Sequence, residues 1–386
     1  MNCKQYFLIW SKALAWMLML VLSGCIEPFE PEVEEAATDL LVVDGFINSQ
    51  GVSKIRLSRT LGLRTQGAPP VEAGARLHIE QEGGVRYPLT EGMSGIYESA
   101  ALRLNADRRY RLHMVTRAGR IYASEYVPVK TTPEIEALTW RRNEQGLEIN
   151  ISSRDASNQT RYYRWSADET WEFTSAYFSQ WEYVNGQVRR RRDNIWRCWR
   201  TQSNASIRLT NTTRLAEDVV SNFTLLELPF NSIKLRYRYS ILVRQYAQTP
   251  EEYAYWEQLR NSTENLGTLF DPLPAQVQGN IRCLSEPGAV ALGFVGAHSV
   301  TEKRLFIAKP ELGLDFRPED TEYTNCTTDT IMANGAGGFS GLASGYIPVD
   351  VLQATDGSPV FAIAGTPICV DCRLRGTNVR PLFWPF

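Results

Sequence analysis

The residues of this chain that could take part in chemistry are led by a cysteine, Cys25. It follows Leu22, Ser23 and Gly24 at the end of an apolar run over residues 13–22. A thiol in this position is the substrate pattern for transfer of a diacylglyceryl group to sulfur and for cleavage before the cysteine. We therefore expect the mature chain to begin at a lipidated Cys25 and to lie outside the cytoplasm. The alternative is a free or disulfide-bonded cysteine.

The segments on both sides of Cys25 agree with that prediction. Residues 1–24 hold Lys4 and Lys12 and then ten apolar residues, fewer than the about 20 that a membrane-spanning helix needs, so we interpret them as a lipoprotein signal peptide. Residues 25–39 are rich in glutamate and proline and predict an extended, solvated tether. Their acidic cluster resembles the export signal of Bacteroidota surface lipoproteins, which implies an outward-facing protein. A plain solvated linker is the alternative.

Five further cysteines follow Cys25, at positions 198, 283, 326, 369 and 372. The last four could ligate zinc, and Cys369 and Cys372 have the spacing of a redox pair, although no thioredoxin-like βαβ context surrounds them. Export to an oxidising compartment favours disulfides instead. We predict that Cys283 and Cys326 each form a disulfide with one member of the Cys369 and Cys372 pair. Cys198 is then left over.

Histidine is scarce in this chain, with only three residues. His78 and His113 both occupy polar positions of strands that alternate between apolar and polar residues. A paired metal site is conceivable there, but solvent-facing strand histidines are the commoner arrangement. We predict no metal site and no cofactor.

Carboxylates offer equally little support for catalysis. Asp155 and Asp168, or Glu169 and Glu172, could act as an acid and base pair of a hydrolase. Nothing in the sequence fixes their separation, which decides whether such a pair works. No nucleophile motif is present either, so we predict no catalytic residues and a protein that is not an enzyme.

The most distinctive candidate for a contact surface is a segment over residues 177–199. Its Asn185-Gly186 dipeptide predicts a β-hairpin, because both residues can adopt the positive φ of a type I′ turn. Aromatic and arginine residues dominate interface hot spots, so the segment predicts contact with a ligand or partner. The alternative is a hairpin whose aromatic residues pack on its own domain while the arginines are solvated. The candidate contact residues are Tyr177, Phe178, Trp181, Tyr183, Arg190, Arg191, Trp196 and Trp199.

The composition places these residues in a folded protein of mainly β structure. Hydrophobic residues make up 43% and charged residues 22% of the chain, and the formal net charge of −2 gives no general attraction to nucleic acid. Short alternating strands separated by Gly or Asn turns predict tandem β-sandwiches of immunoglobulin, fibronectin or transthyretin-like type. We assign residues 40–133 to a first sandwich, 134–310 to a second, and 311–386 to a cysteine-containing segment packed on the second.

One short helix is predicted near residues 250–264. Thr249 and Glu252 form a capping box around Pro250, which occupies the first helical position. The Thr249 hydroxyl can accept a hydrogen bond from the Glu252 amide, and the early carboxylates suit the helix dipole. This helix is expected to carry an apolar side that includes Tyr253 and Trp256.

Several segments together resemble the family known as domain of unknown function 4249. They span essentially the whole predicted mature chain. The segments are Leu41-Val42-Val43-Asp44-Gly45, Leu57-Ser58-Arg59-Thr60, Tyr255-Trp256, residues 269–283, Lys303-Arg304-Leu305-Phe306-Ile307, Cys369-Val370-Asp371-Cys372-Arg373 and Pro381-Leu382-Phe383-Trp384. The resemblance implies a Bacteroidota lipoprotein, often encoded beside a TonB-dependent outer-membrane receptor of the SusC type. It implies no established activity and no catalytic residues.

These observations lead to three expectations about function. The first is a lipid-anchored protein of the outer membrane, exposed at the cell surface, that is a non-enzymatic partner of a TonB-dependent receptor β-barrel in nutrient capture. The second is a structural or assembly component of the envelope, and the third a surface hydrolase. The membrane contact would be the N-terminal lipid, and the ligand a small molecule, glycan or peptide that the sequence does not identify. Nucleic acid is not expected, because an exported protein rarely meets it.

Overall fold

The computed structural model describes residues 39–62, 65, 67–264, 277–313, 316–334 and 339–385. Cys25, the predicted signal peptide, the tether up to residue 38, and residues 269–276 of the family-like segment lie outside the described residues. Everything below belongs to one compact unit, Leu40–Thr60 with Pro69–Phe386. No described helix is both long and apolar enough to span a membrane.

Strands dominate the described chain. The first nine are β1 Leu41–Gly45, β2 Ile47–Asn48, β3 Val52–Arg59, β4 Arg76–Gln81, β5 Arg86–Met93, β6 Ile96–Ala101, β7 Arg109–Val115, β8 Ile121–Ser124 and β9 Val127–Lys130. The next eight are β10 Ile135–Arg142, β11 Gly146–Asp155, β12 Tyr162–Thr174, β13 Trp181–Val184, β14 Gln187–Arg190, β15 Arg197–Asn211, β16 Asp218–Pro229 and β17 Arg238–Ala247. The last seven are β18 Ile281–Cys283, β19 Ala291–Leu292, β20 Ala297–His298, β21 Val300–Ala308, β22 Thr328–Met332, β23 Ile347–Gln353 and β24 Pro359–Gly365.

Helical structure is limited to short pieces. The α-helices of the described residues are α1 Pro250–Glu264 and α2 Pro367–Val370, and the 3-10 helices are Ile233–Leu235, Lys309–Glu311, Thr321–Tyr323, Ser340–Ser344 and Cys372–Leu374. The amide of Glu252 donates to Thr249 Oγ1 at 3.2 Å, so α1 begins as its capping residues predict. The prediction of a mainly β, sandwich-type fold with one short helix of this kind near 250–264 is confirmed.

The first sheet forms because its strands alternate between buried and exposed residues. In β7, for example, Tyr110, Leu112 and Met114 are fully buried while the residues between them face outward. Twelve strands take part, and the main path runs from β19 to β2. β1, which neighbours β19 at one end of the path, is separated from β2 in sequence by Phe46 alone. The sheet therefore curls back on itself around one core.

Three of its strands come from much later in the chain. β18 pairs with β8, β19 runs parallel to β1, and β20 runs parallel to both β2 and β9. Residues 281–298 therefore lie in the first sheet, and not in the second domain to which the sequence analysis assigned them. These strands have only two or three residues each, too few for an alternation that could be read from sequence.

The second core lies between two sheets. One contains β10, β11 and β16 in that order, and the other contains β15, β12, β17 and β21. Buried residues of β11, β12 and β17 pack against one another between them, including Ile149, Trp165 and Ile241. Residues 233–235 form a 3-10 turn, and the long strand β17 begins after it, at Arg238.

A smaller layer follows the second sandwich. β22, β24 and β23 form a three-stranded sheet whose core includes Phe339, Val351 and Ala362. The C-terminal residues then return to β15, where Trp199 and Thr377 exchange two backbone hydrogen bonds of 2.8 and 2.9 Å. Trp384 packs edge-on against Phe306 of β21, with ring centroids 5.8 Å apart.

Candidate functional site: a polar groove and an aromatic hairpin

The predicted hairpin is present as β13 and β14. Asn185 and Gly186 have φ values of 51° and 84°, as the type I′ turn requires. The turn residues are exposed, while the base of the hairpin packs on the small sheet. The local signal in the sequence therefore predicted the turn correctly.

The aromatic residues of this segment divide between the interior and the surface. Trp181 is 8% exposed and packs in the core of the small sheet, with Tyr183 partly buried beside it. Trp199 is 7% exposed in β15. Tyr177 donates its hydroxyl hydrogen to the carbonyl of Cys326 at 2.7 Å. These four side chains are used in packing.

The arginines of the hairpin also make internal contacts. Arg191 Nη2 donates to the carbonyl of Trp181 at 2.8 Å, which fixes an arginine that is largely buried. The Arg190 guanidinium lies over the Trp181 ring, 4.3 Å from its centroid. Arg189, beside them, pairs with Glu182 at 2.7 Å. Most of this arginine run therefore stabilises the hairpin itself.

What remains at the surface is a pair of aromatic residues. Phe178 is 52% exposed, and its ring meets that of Trp196 edge-on at 5.3 Å. Of the eight predicted contact residues, this pair and the outward side of Arg190 are the parts available to another molecule.

A second candidate, which the sequence analysis did not find, is a groove on the first sheet. It consists of two adjoining cavities of about 470 and 450 Å³ that share Arg109, Glu125 and Tyr126. The first cavity extends to the N-terminus of α1 and the second to Arg282 on β18. Volumes of this size are within the range of small-molecule sites.

The groove forms where strand β7 changes its pairing partner within the sheet. β7 pairs with β9 at Arg109 and Tyr110, but with β8 from His113 to Val115. The residues between β8 and β9, Glu125 and Tyr126, belong to neither strand and line the opening. Sequence could not predict this because the lining comes from positions near 82, 109–130, 249–251 and 280–294.

Charged groups of both signs line the groove. Arg111 lies over the Tyr126 ring, 4.5 Å from its centroid, and its Nη2 lies 2.6 Å from Glu80 Oε2. Burial would raise the pKa of Glu80, but the hydrogen bonds from Arg111 and Arg86 keep it below its ordinary value. Burial raises the pKa of the Tyr126 hydroxyl. The groove thus presents the guanidinium of Arg111, the phenol of Tyr126 and the carboxylate of Glu125, which can hydrogen-bond a polar ligand.

A cation lies at the other end of the groove. The Lys130 ammonium donates to the carbonyl of Gln159 at 2.7 Å. Burial lowers the pKa of this lysine, and the nearby carboxylates of Asp155 and Asp218 act in the opposite direction.

The carboxylates considered for catalysis do not converge. Asp168 and Glu169 are neighbours on β12 and so project to opposite faces, as do Glu169 and Glu172. Glu169 accepts from Tyr239 at 2.8 Å and pairs with Lys234 at 2.9 Å, whereas Asp168 pairs with Arg244 at 2.7 Å. Each of them therefore already has an internal partner.

Asp155 and Glu172 are engaged in the same way. Asp155 accepts hydrogen bonds from its own loop, including the Thr160 amide at 2.9 Å, which keep its pKa at about 2 although burial acts to raise it. Glu172 pairs with Arg197 at 3.1 Å.

The structure corrects the prediction for two cysteines. The disulfides are Cys198–Cys372 and Cys326–Cys369, and Cys283 is a buried free thiol. Cys326 does form a disulfide with one member of the Cys369 and Cys372 pair, namely Cys369. Cys283 does not, because it lies on β18 in the core of the first sheet, where it is the register partner of Tyr122. Cys198 of β15, and not Cys283, forms the second disulfide, with Cys372.

The three histidines are placed differently from one another. His78 and His113 lie opposite each other on β4 and β7, with both rings partly exposed, and His298 is fully buried. Across the described part of the chain, no three or more histidine, cysteine, aspartate or glutamate side chains cluster around one point.

Comparison with known proteins gives one finding. The family model described as domain of unknown function (DUF4249) matches residues 26–304. No curated protein matches the chain.

Proposed function

Because this chain belongs to the family described as domain of unknown function (DUF4249), whose description assigns no activity, we propose a function from its own residues. It is a lipid-anchored binding protein exposed on the outer membrane, without enzymatic activity, that captures a polar ligand for a TonB-dependent receptor. We include the partnership with a receptor because the resemblance to the family implies it.

The groove on the first sheet carries the binding part of the proposal. It has the volume of a ligand site, an aromatic ring at Tyr126, and guanidinium and carboxylate groups at Arg109 and Glu125. Glycans and peptides both present hydrogen-bonding groups along an extended chain, and two adjoining cavities suit such a shape. The carboxylates that could have formed a hydrolytic pair are engaged elsewhere, which favours binding over turnover.

Two observations support export and anchoring. The family match begins at residue 26, directly after Cys25. The two disulfides suit an oxidising compartment, because cytosolic proteins rarely keep structural disulfides.

The anchor and the partner are tested together in the native envelope. The full chain and a Cys25→Ser variant are expressed at equal levels, extracted in mild detergent and purified. We expect diacylglyceryl-modified Cys25 by mass spectrometry and a stoichiometric β-barrel partner for the natural chain, and neither for the variant. An unmodified N-terminus, or a monomer that hydrolyses glycans or peptides, would overturn the proposal.

The groove is tested by Arg109→Ala, with Arg108→Ala as the matched control, since Arg108 is exposed but lines neither cavity. Binding of the purified chain to a glycan array and a short-peptide library is measured for all three proteins. We expect Arg109→Ala to lose the binding that Arg108→Ala retains. Equal binding by both variants would place the ligand elsewhere, and the exposed Phe178 and Trp196 pair would be the next surface to change.

A further inference from the structure

The small sheet has two edges that differ in how they are protected. Its strands lie in the order β22, β24, β23, so β22 and β23 are the edges. Two register shifts interrupt the pairing of β23 with β24, and β23 contains Pro348. The Pro348 carbonyl accepts a hydrogen bond from the Ser179 hydroxyl at 2.7 Å. Proline and irregular pairing are devices that keep an edge strand from pairing with another chain.

β22 carries none of these devices. Its five residues, Thr328–Met332, pair with β24 in an unbroken register and include no proline. Asp329 is its only charged residue, and all of its residues are exposed except the partly buried Ile331. No other strand of the described chain pairs with β22. Such an edge presents a row of backbone donors and acceptors to an approaching strand.

The register shows which residues present those groups. The Ala333 amide donates to the carbonyl of Val360 at 2.9 Å, which continues the antiparallel ladder of β22 and β24. Residues of an antiparallel strand alternate between bonding one neighbour and bonding the other. The backbone groups of Thr328, Thr330 and Met332 therefore point away from β24, toward the open side of the sheet.

The sequence of β22 suits antiparallel pairing with a copy of itself. A twofold axis at Thr330 places this residue opposite Thr330 of the second copy, and Thr328 opposite Met332 of the second copy. These residues are the ones whose backbone groups point outward, so about six hydrogen bonds form, two for each pair. Asp329 then lies opposite Ile331 of the second copy, so like charges do not face each other. Cross-strand threonine pairs are themselves favourable.

The exposed side chain of Met332 gains contacts in the same arrangement. Met332 is 63% exposed and is the register partner of Phe361, which in turn pairs with Leu352, itself 52% exposed. These three side chains lie on one face of the sheet, as do those of Thr328 and Thr330. Pairing of two copies brings Met332 against the threonines of the second copy and removes apolar surface from water.

We propose that β22 is a self-association edge, at which two copies of this chain join their small sheets into one continuous sheet about a twofold axis. Twofold homodimers are the commonest symmetric assembly of soluble proteins. The paired strands are short, so the dimer is a reversible one whose population rises with protein concentration. This assembly goes beyond the proposed function, because it depends neither on the groove ligand nor on a receptor.

The first test measures the mass of the full chain in detergent by light scattering over a wide range of protein concentration, with micelles in large excess. Thr330→Pro removes a backbone donor of the open edge, and this amide does not bond to β24. We expect the dimer of Thr330→Pro to be at least about tenfold weaker than that of the natural chain. Thr330→Val is the matched control, because it keeps the amide and the branched side chain. Melting temperatures of the three proteins establish that each is folded.

A natural chain that stays monomeric at every concentration, or a Thr330→Pro variant that dimerises as well as Thr330→Val, would overturn the proposal. A monomer that instead copurifies with another polypeptide, which Thr330→Pro loses, would also overturn it. The edge would then belong to a strand of that polypeptide and not to a second copy.

The second test reads the register directly and does not need Thr330→Pro to fold. Opposed residues of a hydrogen-bonded antiparallel pair have Cα atoms about 5.5 Å apart, within the range that a disulfide spans. Thr330→Cys, made together with Cys283→Ser to remove the free thiol, should therefore link two chains on mild oxidation. Thr355→Cys in the same background is the control, since Thr355 is exposed between β23 and β24. Equal linking at both positions, or none at position 330, would exclude the twofold pairing.

Discussion

Glu252 Oε1 lies 3.5 Å from His298 Nε2, and neither side chain is more than 2% exposed. Glu252 is in the first turn of α1, whereas His298 is on β20 of the first sheet, so the contact joins the helix to that sheet. The His298 ring also stacks on Phe46, with centroids 4.4 Å apart. A glutamate that the sequence assigned to helix capping therefore has a second role inside the protein.

A partly buried arginine completes this cluster. Arg164 of β12 lies between the rings of Tyr246 and Trp256, 4.4 and 4.3 Å from their centroids. The Gln248 amide, oriented so that its oxygen faces these donors, accepts from Arg164 Nε and Trp256 Nε1 at 3.2 Å. The Glu252 cluster thus brings together the first sheet, α1 and a sheet of the second sandwich.

The Glu252→Ala variant should be strongly destabilised. Removing a buried carboxylate from the polar groups that it contacts typically costs about 3–5 kcal/mol, because those groups are left without compensation. Urea denaturation of the variant and of the natural chain at pH 7 measures the difference. Glu251→Ala is the control, since Glu251 precedes it in the same helical turn but is exposed. Equal stability of the two variants would mean that the cluster adds little to folding.

The same contact predicts a dependence on pH. Burial acts to raise the pKa of Glu252, but His298 and Arg164 act against it, and the net pKa lies below its ordinary value. A lowered folded-state pKa stabilises the protein above the unfolded value of about 4.3, and that contribution is lost as pH falls further. The stability difference between the natural chain and Glu252→Gln should therefore shrink below about pH 4. A difference that stays constant from pH 7 to pH 3 would contradict this.

Gly296 should tolerate no side chain, because it packs directly against the buried carboxylate of Glu252. A Cβ atom at this position would overlap the carboxylate of Glu252, so Gly296→Ala must displace that carboxylate. Gly288→Ala is the control, because no atom lies within 4 Å of a Cβ there. Thermal melts should show a clear loss for Gly296→Ala and almost none for Gly288→Ala. If Gly296→Ala has the same melting temperature as the natural chain, the residues around Glu252 are more adaptable than their packing indicates.

Much of the fold could be predicted because it follows from local physics. The alternation in β7, the Thr249 cap and the Asn185-Gly186 turn each depend on residues a few positions apart. These local structures follow from the alternation of side chains along a strand and from backbone sterics, and both can be read directly from the sequence.

The groove and the disulfide pairing could not be predicted because they depend on distant segments. Cys198 and Cys372 are 174 residues apart, and their meeting follows from where the C-terminal residues return to β15. The second cavity places Arg109 and Arg282 on one surface only because β18 joins β8. No spacing rule reports such contacts.

Loss of the Cys198–Cys372 disulfide should lower stability. Removing a native disulfide that closes a long loop typically costs about 2–5 kcal/mol. We expect this loss for Cys372→Ser in urea denaturation without reductant. Cys283→Ser is the matched control for exchanging a buried cysteine that forms no disulfide. If the two variants were equally stable, the disulfide would contribute no more than the thiol of Cys283.

Trp181 and Phe178 should respond in opposite ways to truncation. Trp181 is 8% exposed and packs with Phe339 and Val351, so Trp181→Ala should cost about 3–5 kcal/mol. Phe178 is 52% exposed, and Phe178→Ala should change the free energy of unfolding by about 0.5 kcal/mol or less.

Denaturation of both variants therefore separates the hairpin's core from its surface. A large loss of stability in Phe178→Ala would show that the edge-on contact with Trp196 holds the segment in place, and would remove this pair as a docking surface. If Phe178→Ala is instead as stable as the natural chain, it becomes the variant with which to examine receptor copurification, because any loss of partner then reflects the contact surface and not the fold.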